Sequence, residues 1–265
     1  LLTMLLIPLM SCSARLPVYV MVTAACFPRS GGAVIFGLYL LGLVTAVLLG
    51  RLFRRTILRG QAAPFVMELP PYRWPTLMTT WSVIRRTFIL YLRRIAVTVA
   101  IFAVVIWFLA NFPRVQQPAS SATAAPTGAA VATYGETTYI HRLGDVINPV
   151  MKPLGFTLEM NIALIAGFIA KEVVVATMGV LYTGSGEVDS STLIERLRRD
   201  IPSPAVALAF LVFVLLYTPC LTTVVTLQRE TRHWVWTAFS IVYQTGVAWL
   251  AALATRHIAT WAGLG

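Results

Sequence analysis

Charge is what this sequence has least of. Only 12% of its 265 residues are Asp, Glu, Lys or Arg, against roughly 25% in an ordinary soluble domain. With 58% hydrophobic residues, a soluble fold of this size is excluded. Lysine is almost missing: Lys152 and Lys171 are the only two, so the net charge of +11 is nearly all arginine. On a soluble chain that excess would suggest nucleic acid. Here the arginines border apolar runs, as the positive-inside rule requires, and no nucleic-acid partner is expected. Three cysteines, Cys12, Cys26 and Cys220, are too scattered for a disulfide framework. His141, His233 and His257 show no zinc spacing. The chain has no Gly-x-x-x-x-Gly-Lys-Ser/Thr loop and no visible nucleophile–base pairing. No nucleotide site of that kind and no enzymatic activity are therefore expected of it. The opening Leu1-Leu2-Thr3-Met4 lacks a basic leader region and reads as neither a signal peptide nor a natural start. A partial sequence is expected.

What is present is a series of apolar runs near the length of about 20 residues that spans a bilayer. Six are predicted: Leu1–Phe27, Ala33–Leu49, Ile95–Phe112, Asn161–Tyr182, Ala205–Leu227 and Trp234–Ala254. The expected fold is all-α, a polytopic transmembrane helical bundle. Residues 50–94 hold nine arginines against one acid, Glu68, which predicts a cytoplasmic loop. Residues 113–160 include the uncharged Ala/Ser/Thr/Pro stretch 116–132 and read as exoplasmic. Residues 183–203, with Arg196, Arg198 and Arg199, are predicted to return to the cytoplasm. Arg229 and Arg232 then fall on the outer side, against the rule. Within the basic loop, Trp81, Ile84, Phe88, Tyr91 and Ile95 recur at helical spacing. They predict an amphipathic helix on the membrane surface or packed on its neighbours.

Two apolar runs carry a Cys at an interruption: Ser11-Cys12-Ser13 between Pro8 and Pro17, and Thr218-Pro219-Cys220-Leu221-Thr222. Proline frees a carbonyl one turn back. Free carbonyls at membrane depth are tolerated only against protein or a water-filled cavity. Paired broken helices in corresponding halves point to a transporter's binding site. The two units are expected to run in the same direction, inward to outward. Thiols, hydroxyls and freed carbonyls suit a borderline-soft divalent ion and select against Mg²⁺ and Ca²⁺. Lys171 and Glu172 stand at the middle of the fourth run, where a charge is a functional suspect. Glu172 is the one carboxylate near the centre of any predicted span. Cys26, at a span end, is expected to be a bystander.

These residues resemble a known family. Leu1-Leu2-Thr3 with Pro8-Leu9-Met10-Ser11-Cys12-Ser13-Ala14-Arg15-Leu16-Pro17-Val18-Tyr19 looks like the first gate motif of the bacterial ferrous iron transporter FeoB family. Phe65-Val66-Met67-Glu68-Leu69-Pro70-Pro71-Tyr72-Arg73-Trp74-Pro75 is similar to that family's cytoplasmic segment. Gly167-Phe168-Ile169-Ala170-Lys171-Glu172 and Leu215-Leu216-Tyr217-Thr218-Pro219-Cys220 are similar to its later core and second gate. The resemblance implies the C-terminal part of the membrane domain of an Fe²⁺ importer of the bacterial inner membrane. It also implies an N-terminal GTPase domain and an upstream gate half that this chain lacks, small accessory Feo proteins, and room for a homo-oligomer within the bilayer. The expected organisation is residues 1–50 as the end of the first gate and the following span, and 51–94 as the basic segment. Residues 95–182 make two spans and a loop; 183–265 make the second gate and last span. Cys12, Cys220 and Glu172 are the candidate Fe²⁺ ligands. Ser11, Ser13, Arg15, Pro17, Lys171, Thr218, Pro219 and Thr222 are candidate gate residues. A nucleoside-recognition transporter and a non-transporting membrane module are the alternatives.

Overall fold

The computed structural model describes residues 2–56, 74–90, 92, 100, 104, 139–169, 171, 173–183, 190–217 and 220–264. Apart from isolated positions, the third predicted span (95–112) lies outside the described residues. So do the stretch 116–132 and Tyr91, Ile95, Glu172, Thr218 and Pro219. All described secondary structure is helical, as expected from the hydrophobic runs. The helices are α1 (Leu2–Leu6), α2 (Leu16–Cys26), α3 (Gly31–Thr56), α4 (77–90), α5 (Tyr139–Met151), α6 (Leu158–Ile169), α7 (Val173–Thr183), α8 (Ser190–Asp200), α9 (Pro204–Leu216), α10 (Leu221–Thr231) and α11 (Trp234–Ala259). Among the described residues, four segments are long and apolar enough to cross a membrane: Leu2–Cys26, Gly31–Thr56, Pro204–Thr231 and Trp234–Gly263.

Burial separates core from periphery. From Ala205 to Leu216 every residue of α9 is buried except Leu208, which is partly so. No face of α9 is left open to lipid, which explains a run that is apolar all round rather than amphipathic. In α3 only Leu38, Gly42 and Phe53 are buried, and Phe36, Leu40, Val44, Val47 and Leu48 are exposed. An apolar helix with an exposed apolar face is a helix that faces lipid tails. Every described residue from 74 to 90 is exposed, including the stripe Leu77, Trp81, Ile84 and Phe88.

The fourth predicted span is not one helix. Residues 158–183 form two short helices, α6 and α7, that pack along each other with Lys171 in the turn between them. Apolar helices of 10–14 residues are the length of re-entrant segments, not of spans. Gly167 makes the tight return possible. A Cβ there would stand 2.2 Å from Val174 Cγ2 and 2.9 Å from the Tyr217 hydroxyl.

A hairpin returns the chain to the face it left, and the contacts trace both faces. At one face, Leu6 lies beside Gly50, and the Phe53 ring stands 5.8 Å from Phe239 and 5.0 Å from Tyr243. This is the end of α3 that runs into Arg54 and Arg55, and it is called the basic face below. Arg229 and Arg232, at the α10–α11 junction, belong to it. At the opposite face, Arg198 of α8 acts electrostatically on Cys26, the last residue of α2. Gly155 packs on Val206, early in α9, and on Arg256, late in α11. Arg256 donates to the Pro153 carbonyl there, and Trp249 Nε1 donates to the Val150 carbonyl at 2.9 Å.

This arrangement overturns two expectations. Residues 190–203 lie on the face of the 27–31 turn, opposite the Arg54–Arg55 end of α3, rather than beside it. The two broken units therefore run in opposite directions: the first from the basic face outward, the second back toward it. Opposed broken helices are the geometry of inverted repeats in transporters. The inversion also returns Arg229 and Arg232 to the basic side, removing the exception noted from the sequence. An apolar run of 22 residues reads as a span whether it is crossed once or folded in two.

Candidate functional site

Three helix interruptions meet in the middle of the bundle. In the first, α1 tightens into a 3₁₀ turn over Ile7–Leu9, and the chain is extended at Met10 and Cys12. A second 3₁₀ turn, Ser13–Arg15, leads into α2. Pro8 donates no hydrogen bond, and the extended residues cannot continue the ladder, so carbonyls are left over. Arg15 takes them. Its guanidinium donates to the carbonyls of Pro8 at 3.1 Å and Met10 at 3.2 Å, and the residue is only 2% exposed. The planar fork of arginine suits two carbonyls seven and five residues back, as a lysine would not. Pro17 sits in the first turn of α2, where a missing N–H costs nothing.

The second interruption follows α9. Tyr217 is extended and its ring stacks on Phe213 at 5.5 Å. Cys220 is the N-cap of α10. Its carbonyl accepts from the amides of Thr223 at 2.9 Å and Val224 at 3.2 Å, and its Sγ lies 3.3 Å from Thr223 Oγ1. The third is the α6–α7 turn. Lys171 is 2% exposed, and its Nζ stands 4.3 Å from the centre of the Tyr217 ring. This is a cation–π contact, which is stronger when desolvated.

The interruptions converge on one another. Arg15, Cys12 and Cys220 all act electrostatically on Lys171. Arg15, both thiols and Tyr19 act on Tyr217. Three buried polar atoms in this neighbourhood have no hydrogen-bond partner, namely Arg15 Nε, Lys171 Nζ and Tyr217 OH, while the Ser11 and Tyr19 hydroxyls face each other. Buried polar groups are paired in nearly all proteins, so such a concentration marks a place built for something else. Tyr19 and Tyr217 were not singled out from the sequence, where a tyrosine in an apolar run looks like packing. Their direct sequence neighbours in the interruptions are the available signal. Cys12 and Ser13 are exposed at the first interruption, Cys220 is half-buried at the second, and Thr222, also half-buried, uses its carbonyl to accept from Thr226 and leaves its hydroxyl available. Glu172, Thr218 and Pro219 lie outside the described residues. Among the described residues, no three His, Cys, Asp or Glu side chains gather as a metal cage.

Comparison with known proteins gives this geometry a context. Residues 35–85 match the family model of the ferrous iron transport protein B C terminus, and residues 92–234 match the Gate model, described as nucleoside recognition. The chain is 42% identical over 290 residues to an Fe(2+) transport protein A/Fe(2+) transporter FeoB fusion protein of Porphyromonas gingivalis, covering 97% of this chain and 34% of that protein. The chain belongs to the ferrous iron transport protein B family. Within FeoB, it is 34% identical to the Fe(2+) transporter FeoB of Campylobacter jejuni, covering 98% of this chain and 42% of the relative. For the FeoB of Helicobacter pylori the identity is 31%, over 96% of this chain and 43% of the relative. The chain thus spans well under half the length of these curated FeoB relatives. It corresponds to a membrane part of FeoB, a multi-pass helical protein whose long apolar helices imply a lipid bilayer. No solved structure matches it.

Proposed function

We propose that the chain forms the ion-conducting core of a ferrous iron importer, with Fe²⁺ as its cargo. The observation that carries the reading is the meeting of two opposed broken helices at Lys171 and Tyr217, where Lys171 Nζ stands 4.3 Å from the Tyr217 ring centre and the Cys12 and Cys220 thiols lie within electrostatic reach of both. Thiols, hydroxyls and the second lone pairs of the Pro8 and Met10 carbonyls, whose first are held by Arg15, can replace part of an ion's water shell. The sulfur donors favour a borderline-soft ion over Mg²⁺ or Ca²⁺. Ser11, Ser13, Thr218 and Thr222 supply hydroxyls in this scheme. Pro8, Pro17 and Pro219 hold the interruptions. Glu172 offsets the buried positive charge of Arg15 and Lys171, which would otherwise repel a dication.

The basic face is the cytoplasmic one in this reading, and the membrane is the bacterial inner membrane. The partners proposed are a GTPase domain, an upstream gate half and small accessory Feo proteins. A relative that is itself a fusion of Fe(2+) transport protein A with FeoB favours the last of these. Assembly as a homo-oligomer is compatible with the exposed apolar face of α3. A nucleoside cargo is less favoured despite the description of the Gate model. Among the described residues, the donor ends of the two buried amides are engaged, Asn161 Nδ2 on Asn148 Oδ1 at 3.3 Å and Gln244 Nε2 on Ser240 Oγ at 2.9 Å.

The test is uptake of Fe²⁺, Mn²⁺, Zn²⁺ and a nucleoside by the full-length protein in vesicles, with Glu172→Gln alongside. Fe²⁺ uptake that falls in Glu172→Gln at unchanged expression supports the reading. Nucleoside uptake without metal uptake, or wild-type Fe²⁺ uptake in Glu172→Gln, contradicts it or removes Glu172 from it.

A further inference from the structure

The buried face of α11 changes character half-way along. Thr237, Ser240, Gln244, Ala248 and Ala252 follow one another at helical spacing and are all buried. The alanine half lies toward the opposite face and packs on α9. The polar half lies toward the basic face. Packing explains alanines against a fully buried α9, but not a row of polar groups in the same bilayer.

The polar half also has unused oxygens. Tyr243 OH donates to the carbonyl of Leu5. It must therefore accept from Gln244 Nε2, which lies 3.2 Å away. Nε2 also donates to Ser240 Oγ at 2.9 Å. These bonds fix the amide: swapping its ends would set Oε1 against a hydroxyl whose proton is already given to Leu5. Gln244 Oε1 then points away from all of them, and it has no partner. Thr237 Oγ1 is likewise buried and unpartnered. The residues are 0% and 1% exposed, respectively. The Ser240 contact places the amide one turn back along α11, and Thr237 follows about 4.5 Å further along the axis. The unpaired oxygens thus share one face within about a turn of each other.

The row begins at the depth of the central cluster. The α10–α11 junction is the Arg232-His233 pair, so Gln244, ten residues into α11, is level with the start of α10 at Leu221. From there Ser240 and Thr237 lead toward the basic face. We propose that Gln244, Ser240 and Thr237 line the route by which a hydrated divalent cation passes between the central cluster and the basic face. The row carries no carboxylate, so it replaces waters without holding the ion, as a conducting segment must. In the structure the route is shut where Tyr243 bonds Leu5 and packs against Phe53 and Phe239. The identity of the cargo rests on the function proposed above, whereas the hydration of the row does not.

The experiment uses the full-length protein with Cys12, Cys26 and Cys220 replaced by Ser. Single cysteines are placed by Ser240→Cys, Thr237→Cys, Ala248→Cys and Ala252→Cys. A charged, membrane-impermeant methanethiosulfonate is applied from the basic face, and modification is read by mass. Because a charged reagent needs water, the first two should react about tenfold or more faster than the last two. Equal rates across all four, or faster reaction at Ala248 and Ala252, would overturn the proposal. Gln244→Leu in the cysteine-intact protein gives a second reading. Cd²⁺ should still shield the native thiols from alkylation while Fe²⁺ uptake falls. Unchanged uptake in Gln244→Leu would count against the route. Absent wild-type Fe²⁺ uptake with Ser240 still reactive would sink only the choice of cargo.

Discussion

The first interruption, between α1 and α2, and the second, between α9 and α10, break apolar runs at similar depth but are closed by different means. The first is tied by a charge: the Arg15 guanidinium bridges the carbonyls of Pro8 and Met10. The second is closed by its own backbone, with Cys220 capping α10 through its carbonyl. Its charge comes from elsewhere, as Lys171 from the α6–α7 turn lies over Tyr217. The difference teaches which cations hold the fold and which are free for function. Arg15 has carbonyl partners whose loss would be felt structurally. Lys171 Nζ has a ring beneath it and no hydrogen-bond partner.

The sharpest way to break the comparison is sidedness, because its outcome is all or none. If the units are opposed, tags placed after Thr56 and after Thr231 report one side of the membrane. Tags at Ser30 and after Asp200 report the other. A tag after Asp200 on the side of Thr56 would restore two parallel units and contradict the hairpin.

Next in size is Arg15→Met. It strands two carbonyls in the interior, and hydrogen bonds to a charged group are worth about 1.5–3 kcal/mol each. Thermal unfolding of the purified protein should show a loss of roughly 3 kcal/mol or more. Gly167→Ala should cost about 1–3 kcal/mol by overpacking against Val174 and the Tyr217 hydroxyl. Adding Val174→Ala should recover part of that loss, since Val174 Cγ2 is the nearest obstacle. Lys171→Met should change stability least. It gives up a cation–π contact worth about 0.5–2 kcal/mol, but it also removes a buried charge with no hydrogen bond. Near-wild-type melting with impaired transport is the expected result. A collapse as large as that of Arg15→Met would make Lys171 a structural cation and erase the contrast.

The spans on either side of the cluster were legible in the sequence because length and hydropathy determine them. Leu2–Cys26, Gly31–Thr56, Pro204–Thr231 and Trp234–Gly263 fall on four of the predicted runs. The interruptions at Ser11-Cys12-Ser13 and before Cys220 were legible because proline and clustered hydroxyls have no other use in an apolar run. The hairpin was not. A 22-residue run with a central Lys171 satisfies the length rule for a span. What folds it back is local, namely a glycine at 167 that admits Val174 and Tyr217. That single misreading reversed the predicted side of 183–203 and the relative direction of the two units. The polar row on α11 was missed for a different reason. Thr237, Ser240 and Gln244 are spread over eight residues of a mostly apolar run, and it is the packing of the helix that buries all three on one face.

The central claim is that Cys12 and Cys220 serve one ion at the meeting point of the opposed units. It is tested most directly by Fe²⁺ uptake into vesicles containing the full-length protein, with Cys12→Ser, Cys220→Ser, the double substitution and Cys26→Ser compared at matched protein levels. Each single gate substitution should lower uptake, and the double should fall short of the product of the two, since residues acting as one unit are not independent. Cys26→Ser should transport as wild type. Normal uptake by both Cys12→Ser and Cys220→Ser would make the thiols packing groups and contradict the account.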